Sequence, residues 1–189
     1  MNRIVSGTVK TAGALAVAGG AILATAMPAG AVTLPRAWGA EATGTVSLPQ
    51  VAVATTANTP ATAFNVSAPP LLSTGFILDR AGPNTGYSSV QYPDVYISSA
   101  LATVSATKVT SSCTTGISGT SNIYGGTVVQ TTQSKITLPF SPAPDTKIKI
   151  PGGVTITLNK QNTLLGIRQV TAMYIAYSGQ NLSLGVTRC

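Results

Sequence analysis

The chain has 189 residues, of which 44% are hydrophobic and only 8% are charged, and it contains no histidine. Cytosolic domains usually have about a quarter of their residues charged, so this composition is typical of an exported β protein. The lack of histidine excludes Ser-His and Cys-His nucleophilic sites and removes the commonest metal ligand. The formal net charge is +7, but the basic residues are not clustered on one segment, which disfavours nucleic-acid binding.

The first 31 residues have the pattern of a cleavable signal peptide. Arg3 and Lys10 form a basic start, residues 11–27 are small and apolar, and Ala29 to Ala31 supply the small residues that a signal peptidase accepts. A membrane anchor is the alternative, but the stretch is short and rich in Gly and Ala. We therefore predict export, cleavage after Ala31 and one mature domain over residues 32–189, with no integral membrane segment.

The mature residues alternate between short runs rich in Val, Ile, Thr and Tyr and clusters of Pro, Gly and Asn, which is a strand-and-turn pattern. The predicted strands are 42–48, 61–66, 75–78, 95–97, 100–111, 117–123, 127–131, 135–138, 146–150, 154–158, 170–177 and 182–187.

Two of these strands alternate apolar and polar residues, and Pro151, Gly152 and Gly153 separate them, so they are predicted to form a hairpin. Residues 67–74 and 141–145 are rich in proline and are predicted to be connections. Strands at this spacing indicate an all-β fold, a β-sandwich or a barrel-like single domain after the signal peptide.

Cys113 and Cys189 are the only cysteines. An even number of cysteines in an exported chain predicts a disulfide; two free thiols or metal ligands are the alternative, although two cysteines without histidine cannot complete a zinc site. We expect the bridge to hold the last strand in place. The residues up to Cys189 include neither a hydrophobic tail nor a Leu-Pro-x-Thr-Gly signal, so we expect a protein that is released or held at the surface non-covalently.

Several segments resemble the choice-of-anchor P family of exported proteins in Gram-positive bacteria. The matching segments are residues 37–44 (AWGAEATG), 102–106 leading to Cys113, 150–161 (IPGGVTITLNKQ), 170–175 and the final Cys189. Lys160 stands where the family has an acid, and no anchor follows the domain. The resemblance implies a location at or beyond the cell envelope, and it brings no catalytic residue, cofactor or ligand.

The remaining catalytic options are weak. A carboxylate-based hydrolase needs two carboxyl groups about 5 to 9.5 Å apart, and the only acids are Glu41, Asp79, Asp94 and Asp145. Asp79 adjoins Arg80, and Asp94 and Asp145 follow prolines, where turn residues are expected. The Ser-x-x-Lys spacing of Ser105 and Lys108 falls in a predicted strand, where residues three apart face opposite sides.

Two sets of residues are candidates for binding. Tyr87, Tyr92 and Tyr96 lie within ten residues, and exposed tyrosines stack on sugar rings or anchor protein partners; half-buried sheet residues are the alternative. Lys135, Lys147, Lys149 and Lys160 would form a cationic face for an anionic cell-wall polymer if neighbouring strands align them. Lysines that protect a sheet edge from pairing are the alternative.

These observations predict a secreted, non-catalytic structural or interaction protein of the envelope without a cofactor. Its expected partner is an anionic cell-wall polymer or an extracellular protein. A secreted protease inhibitor that presents the proline-rich residues 141–145 is the alternative, and a carboxylate hydrolase ranks third.

Overall fold

The computed structural model describes residues 35–130, 135–164 and 166–189. The predicted signal peptide and cleavage site, and residue 131 at the end of one predicted strand, lie outside these residues. Within the described part, the chain is almost entirely β, as the residue pattern predicts, with one short 3₁₀ turn at Ser98–Ala100.

The strands are numbered in chain order. They are β1 (Arg36–Thr43), β2 (Leu48–Val51), β3 (Ala54–Thr55), β4 (Ala61–Phe64), β5 (Ser67–Ala68), β6 (Leu72–Ser73), β7 (Phe76–Ala81), β8 (Thr85–Gln91), β9 (Asp94–Ile97), β10 (Ala102–Ser105), β11 (Lys108–Thr114), β12 (Ile117–Tyr124), β13 (Thr127–Gln130), β14 (Ile136–Thr137), β15 (Thr146–Ile150), β16 (Val154–Leu164), β17 (Ile167–Tyr177) and β18 (Gln180–Arg188).

The strands form three antiparallel sheets. A seven-stranded sheet has the order β15-β16-β17-β18-β1-β2, with β3 also paired to β1. A five-stranded sheet has the order β12-β11-β8-β7-β4, and a six-stranded sheet has the order β14-β13-β10-β9-β6-β5. The two orders correspond strand by strand. The chain neighbours of β12, β11, β8, β7 and β4 in the six-stranded sheet are β13, β10, β9, β6 and β5, in the same spatial order.

The two smaller sheets are continuous across a line of bends, which we call the crease. Each strand of the five-stranded sheet leads, after about two residues, into or out of a strand of the six-stranded sheet. Backbone hydrogen bonds continue through the gap: the Gly75 N–H donates to the Gln91 carbonyl (2.8 Å), and the Tyr92 N–H donates to the Thr107 carbonyl (2.9 Å). The two sheets are therefore the halves of one bent sheet.

Residues in the left-handed region produce the bend. Asn65 (φ 49°), Tyr92 (φ 48°) and Gly125 (φ 60°) lie at the crease, each between a strand of the five-stranded half and the next strand, which belongs to the six-stranded half. One residue of this conformation in a strand makes a bulge that turns the strand and increases its twist. Asparagine and glycine adopt it readily, whereas tyrosine does so rarely.

The seven-stranded sheet faces the five-stranded sheet, and strands β1, β17 and β18 lie against β7, β8, β11 and β12. The six-stranded half then bends over one end of this sandwich. Buried residues from all three sheets belong to one large apolar core. The predicted all-β single domain is therefore confirmed as a sandwich with one bent sheet, and the described strands do not close into a barrel.

The two facing sheets are very close to each other at one end of the sandwich. A Cβ placed on Gly39 would overlap Ile77 Cγ2, and a Cβ placed on Gly119 would overlap Val170 Cγ2. Only glycine fits at such an approach. A small cluster of alanines, Ala37, Ala54 and Ala81, fills the same end.

The disulfide between Cys113 and Cys189 joins the two facing sheets at this close end, as predicted. Cys113 lies on β11, and Cys189 directly follows β18; their Cα atoms are 6.0 Å apart. Cys189 also exchanges two backbone hydrogen bonds with Arg168, at 2.9 and 3.0 Å. The end of the chain is therefore tied both to its own sheet and to the opposite one.

Two segments differ from the sequence predictions because their compositions are atypical of strands. Residues 67–74, predicted to be a connection, contain β5 and β6, which pair around Pro69 and Pro70. Both prolines occupy the turn, and β5 is an edge strand, so their missing N–H groups break no ladder. Strand β8 was not predicted because Gly86, Ser88 and Ser89 dilute its β-branched residues.

Two further predicted strands run across a point where the structure ends one strand and begins another. The predicted strand 100–111 is two strands, β10 and β11, because the crease interrupts it at residues 106 and 107. The predicted strand 42–48 is wrong at residues 44–47, where Gly44 has φ 125° and the chain turns between β1 and β2. The predicted hairpin around Pro151 to Gly153 is confirmed, with Thr146 paired to Leu158 and Ile150 to Val154.

Removal of the disulfide tests how strongly the link between the two facing sheets stabilises the fold. The bridge spans a sequence separation of 76, and a loop of that size stabilises by roughly 4 kcal/mol through the restricted unfolded chain. We expect Cys113→Ala/Cys189→Ala to lower the free energy of unfolding in urea by about 3 kcal/mol or more. Wild-type protein with dithiothreitol is the matched control and should unfold at the same urea concentration as the variant. Unchanged unfolding on reduction would contradict this role.

Candidate functional site

The outward side of the seven-stranded sheet carries the predicted lysines. Lys147 and Lys149 are exposed on alternate positions of β15, opposite Ile148 and Ile150. Lys160 follows on the neighbouring strand β16. The hairpin therefore brings three of the four lysines to one surface, whereas Lys135 precedes β14 at the edge of the six-stranded sheet.

Two arginines extend this surface across the sheet. Trp38 pairs with Val186, Val186 with Thr171 and Thr171 with Lys160, so Trp38 and Lys160 share one side of the sheet. The guanidinium groups of Arg36 and Arg188 lie 5.5 and 4.9 Å from the centre of the Trp38 ring. Such cation–π contacts hold both arginines over the indole. We call the surface of Lys147, Lys149, Lys160, Arg36 and Arg188 the basic face.

A shallow polar depression of about 220 Å³ lies within the basic face. The Tyr174 hydroxyl donates to Asn181 Oδ1 at 2.6 Å, and the Lys160 ammonium lies 3.4 Å from the centre of the Tyr174 ring. The depression thus combines an aromatic ring, a carboxylate and neutral hydrogen-bonding groups, and the Lys160 ammonium lies beside it. Its lining residues are Glu41, Thr43, Tyr174, Asn181 and Ser183.

A local bulge in β16 fixes the position of Lys160. Asn159 has φ 50°, and its side-chain amide donates to the Pro142 carbonyl at 3.0 Å. Asp145 accepts from the Gln161 N–H at 3.1 Å, and its own N–H donates to the Asn159 carbonyl at 3.0 Å. The proline-rich residues 141–145 are therefore held against the bulge, and Asp145 is the turn residue that the sequence predicts.

The charge environment of Lys160 reflects its crowding. Partial burial against Tyr174 lowers the pKa of Lys160. The Lys147 ammonium lowers this pKa further, and the Asp145 carboxylate raises it. Lys160 and Lys147 are therefore close enough to repel each other, and an anion bound between them would relieve that repulsion.

The predicted tyrosines do not form one cluster. Tyr87 is half-buried on β8, Tyr92 is 64% exposed at the crease, and Tyr96 is 42% exposed on β9. Tyr87 and Tyr92 are five residue steps apart along an extended strand, which is roughly 16 Å. Tyr96 instead lines an open depression of about 330 Å³ together with Pro69, Pro70 and other residues of the six-stranded sheet.

The burial of Asp79 was not predicted from the sequence. Asp79 lies on β7 between Ile77 and Ala81, points into the sandwich, and is completely buried. Arg80, its neighbour in the sequence, points outward and is exposed. Because Phe76 and Leu78 on the other side of the strand are apolar too, the residue pattern does not predict that Asp79 points inward.

A row of inward hydroxyl groups lies beside Asp79. Asp79 pairs with Ser88, Ser88 with Ser111 and Ser111 with Ser121 across the five-stranded sheet. Burial raises the pKa of Asp79 to about 8, an effect that the nearby Ser88 hydroxyl and Gly39 N–H reduce. Among the described residues, none makes a hydrogen bond of normal geometry to either carboxyl oxygen. The carboxyl group is therefore expected to be protonated at neutral pH.

The described residues give limited scope for metal or carboxylate chemistry. They contain no group of three or more His, Cys, Asp and Glu side chains arranged to hold a metal ion. Asp79 is buried, whereas Asp94 and Asp145 are exposed on different sheets. Ser105 pairs with Thr127 at 3.3 Å, and the Lys108 ammonium lies over the Tyr124 ring, so these two residues do not form a Ser-Lys pair.

Residues 35–130, 135–164 and 166–189 include no helix with the length and hydropathy that a bilayer span requires. No protein-family model, curated protein or solved structure matches this chain. The resemblance to the choice-of-anchor P family therefore stays an expectation from the sequence.

A substitution at Asp79 tests its raised pKa. Above pH 3.8 the unfolded carboxyl ionises, whereas the folded carboxyl keeps its proton until about pH 8. Folding takes up a proton in this window, so the stabilisation from this group falls as the pH rises, by about 1 kcal/mol per unit. We expect Asp79→Asn to flatten the decrease in urea-unfolding free energy between pH 5 and pH 8.

The exposed Asp94→Asn makes the same chemical change as a control and should keep the wild-type slope. A wild-type slope in Asp79→Asn would show that another group causes the pH dependence.

Proposed function

We propose that this protein is an exported, non-catalytic protein of the cell envelope that binds an anionic cell-wall polymer through its basic face. The observation that carries the proposal is that the β15–β16 register and the contacts to Trp38 collect five cations on one side of one sheet. Glu41 and Asp145 are the acids at this face, so cations predominate there. Clustered charge of one sign attracts a polymer of the opposite sign at low salt.

Two observations support a binding role over a catalytic one. The sequence has no histidine, and the described cysteines form a disulfide. The Tyr174 depression adds a place where one unit of the polymer can be held, because it offers an aromatic ring beside hydrogen-bonding groups. Export itself is proposed from the basic start and the apolar run of residues 1–31.

Co-sedimentation with purified Gram-positive cell-wall sacculi tests this function. We expect the mature protein to pellet with sacculi at low ionic strength and to be released at about 0.5 M salt, which screens surface charge within a few ångströms. Lys147→Gln/Lys149→Gln should weaken pelleting about tenfold, because it removes two exposed cations of the basic face.

The matched control is Arg80→Gln/Lys135→Gln, which removes the same charge from exposed positions elsewhere. An equal loss in both variants would indicate attraction by net charge alone. No pelleting at either salt concentration would refute the envelope role.

A second candidate is a protease inhibitor, and the anchoring of residues 141–145 favours it. The Pro142 and Ala143 carbonyls accept hydrogen bonds from Asn159 (3.0 Å) and Thr146 (2.7 Å), while Pro144 is exposed. A rigid exposed loop loses little conformational entropy on binding. Titration of trypsin, chymotrypsin and subtilisin with the mature protein decides between the two candidates, since only an inhibitor gives a stoichiometric loss of protease activity.

A further inference from the structure

All three phenylalanines of the chain lie outside the core. Phe64 is 72% exposed, Phe140 is 54% exposed and Phe76 is partly exposed, while the buried core clusters consist of aliphatic residues and Met173. Phenylalanine is among the residues most often buried in folded proteins. Three exposed or half-exposed phenylalanines at one place therefore point to an interaction surface.

Cross-strand register places these rings in a single row beside the crease. Phe64 pairs with Phe76, and their ring centroids are 4.8 Å apart. At the opposite edge of the five-stranded sheet, on β12, Tyr124 packs edge-to-face on Phe140, with ring centroids 4.9 Å apart. Tyr92, 64% exposed, projects at the crease beside Gly75, between the two ring pairs.

The middle of the row is polar and cationic. Gln91 lies opposite Phe76 on the neighbouring strand, because the adjacent Ile77 pairs with Val90. On its other side, Gln91 pairs with Lys108. Lys108 in turn pairs with Tyr124, and its ammonium lies 4.1 Å from the centre of that ring. We call the complete set the crease row: Phe64, Phe76, Gln91, Tyr92, Lys108, Tyr124 and Phe140.

The dimensions of the crease row suit an extended ligand. The strands β7, β8, β11 and β12 are neighbours, so Phe76 and Tyr124 are three strand spacings, roughly 14 Å, apart. The row lies on the outer side of the sheet, and its side chains are exposed or partly exposed. A polymer chain can lie along this row, with separate units on the two ring pairs.

The charge of this face favours an acidic ligand. Among strands β4, β7, β8, β11 and β12, Asp79 is the only acidic residue, and it points into the core. Across the crease, Asp94 at the start of β9 is an exposed acid. Arg80 and Lys108 are on the outer side. A second copy of this chain would bring these two cations and one carboxylate, Asp94, so charge favours an acidic ligand over self-association through the row.

We propose that the crease row binds an extended polysaccharide whose sugars carry carboxylate groups. The two ring pairs stack on the C–H faces of separate sugars, because the electron-rich ring face attracts the polarised C–H groups. Lys108 pairs with a carboxylate, and Gln91 supplies an amide donor and acceptor for hydroxyl groups. This site is separate from the basic face and lies on the opposite sheet of the sandwich.

Affinity electrophoresis tests the proposal with soluble hyaluronate, in which every second sugar carries a carboxylate, and with neutral dextran as the comparison polymer. Lys147→Gln/Lys149→Gln is the starting protein, so that the basic face contributes little. We expect hyaluronate to retard it at about 0.15 M salt, and dextran to retard it less. Adding Phe64→Ala/Phe140→Ala should weaken the apparent affinity about tenfold without changing the charge.

Lys108→Gln provides an independent test, because it should weaken retardation by hyaluronate while leaving dextran unaffected. Lys135→Gln removes the same charge away from the row and should have no such effect. Circular dichroism melts check that the exposed substitutions leave the fold intact. Equal retardation with and without Phe64 and Phe140 would overturn the proposal. So would ring-dependent self-association in sedimentation velocity, or ring-dependent binding to phosphatidylglycerol vesicles with no hyaluronate binding.

Discussion

The close approach of the two facing sheets at Gly39 and Gly119 is the constraint on which the rest of the structure depends. No side chain fits between the sheets at these positions, and the Cys113–Cys189 bridge holds them together at the same end. At the other end, large aliphatic residues such as Met173, Ile175 and Leu182 lie in the core. The six-stranded half of the bent sheet contributes its apolar residues to this same core.

The burial of these aliphatic residues explains why one sheet bends. A flat five-stranded sheet would leave the aliphatic residues at this end exposed to water, at a cost of about 25 cal/mol for each Å² of apolar surface. The bulges at Asn65, Tyr92 and Gly125 turn the strands over this end while the backbone ladder continues. The bend keeps Val95, Ile97 and Val104 in the core. The crease row is thus a direct product of the way the core is closed.

The two proposed surfaces differ in their chemistry. The basic face collects cations around Trp38 and Tyr174 on the seven-stranded sheet, and its attraction for a polymer should depend strongly on salt. The crease row on the opposite sheet relies on ring contacts, with Lys108 at its centre, and should depend less on salt. A domain with both surfaces could bridge two envelope polymers. Asp79 takes part in neither surface, and its burial instead makes the stability of the domain depend on pH.

The sequence by itself determined the all-β class, the cysteine pair and the alternation that turns Lys147 and Lys149 away from the core, because these follow from composition and from the two-residue period of a strand. The hairpin at Pro151 to Gly153 was equally local. Non-local pairing decided the rest. Strand register joined Lys160 to the lysines of β15 and separated Lys135 from them. The same register placed Phe64, Phe76 and Lys108 in one row, although 44 residues of sequence separate the first from the last. The local residue pattern predicts which face of a strand each side chain occupies. It does not predict the cross-strand neighbour, which is defined only when the sheets assemble.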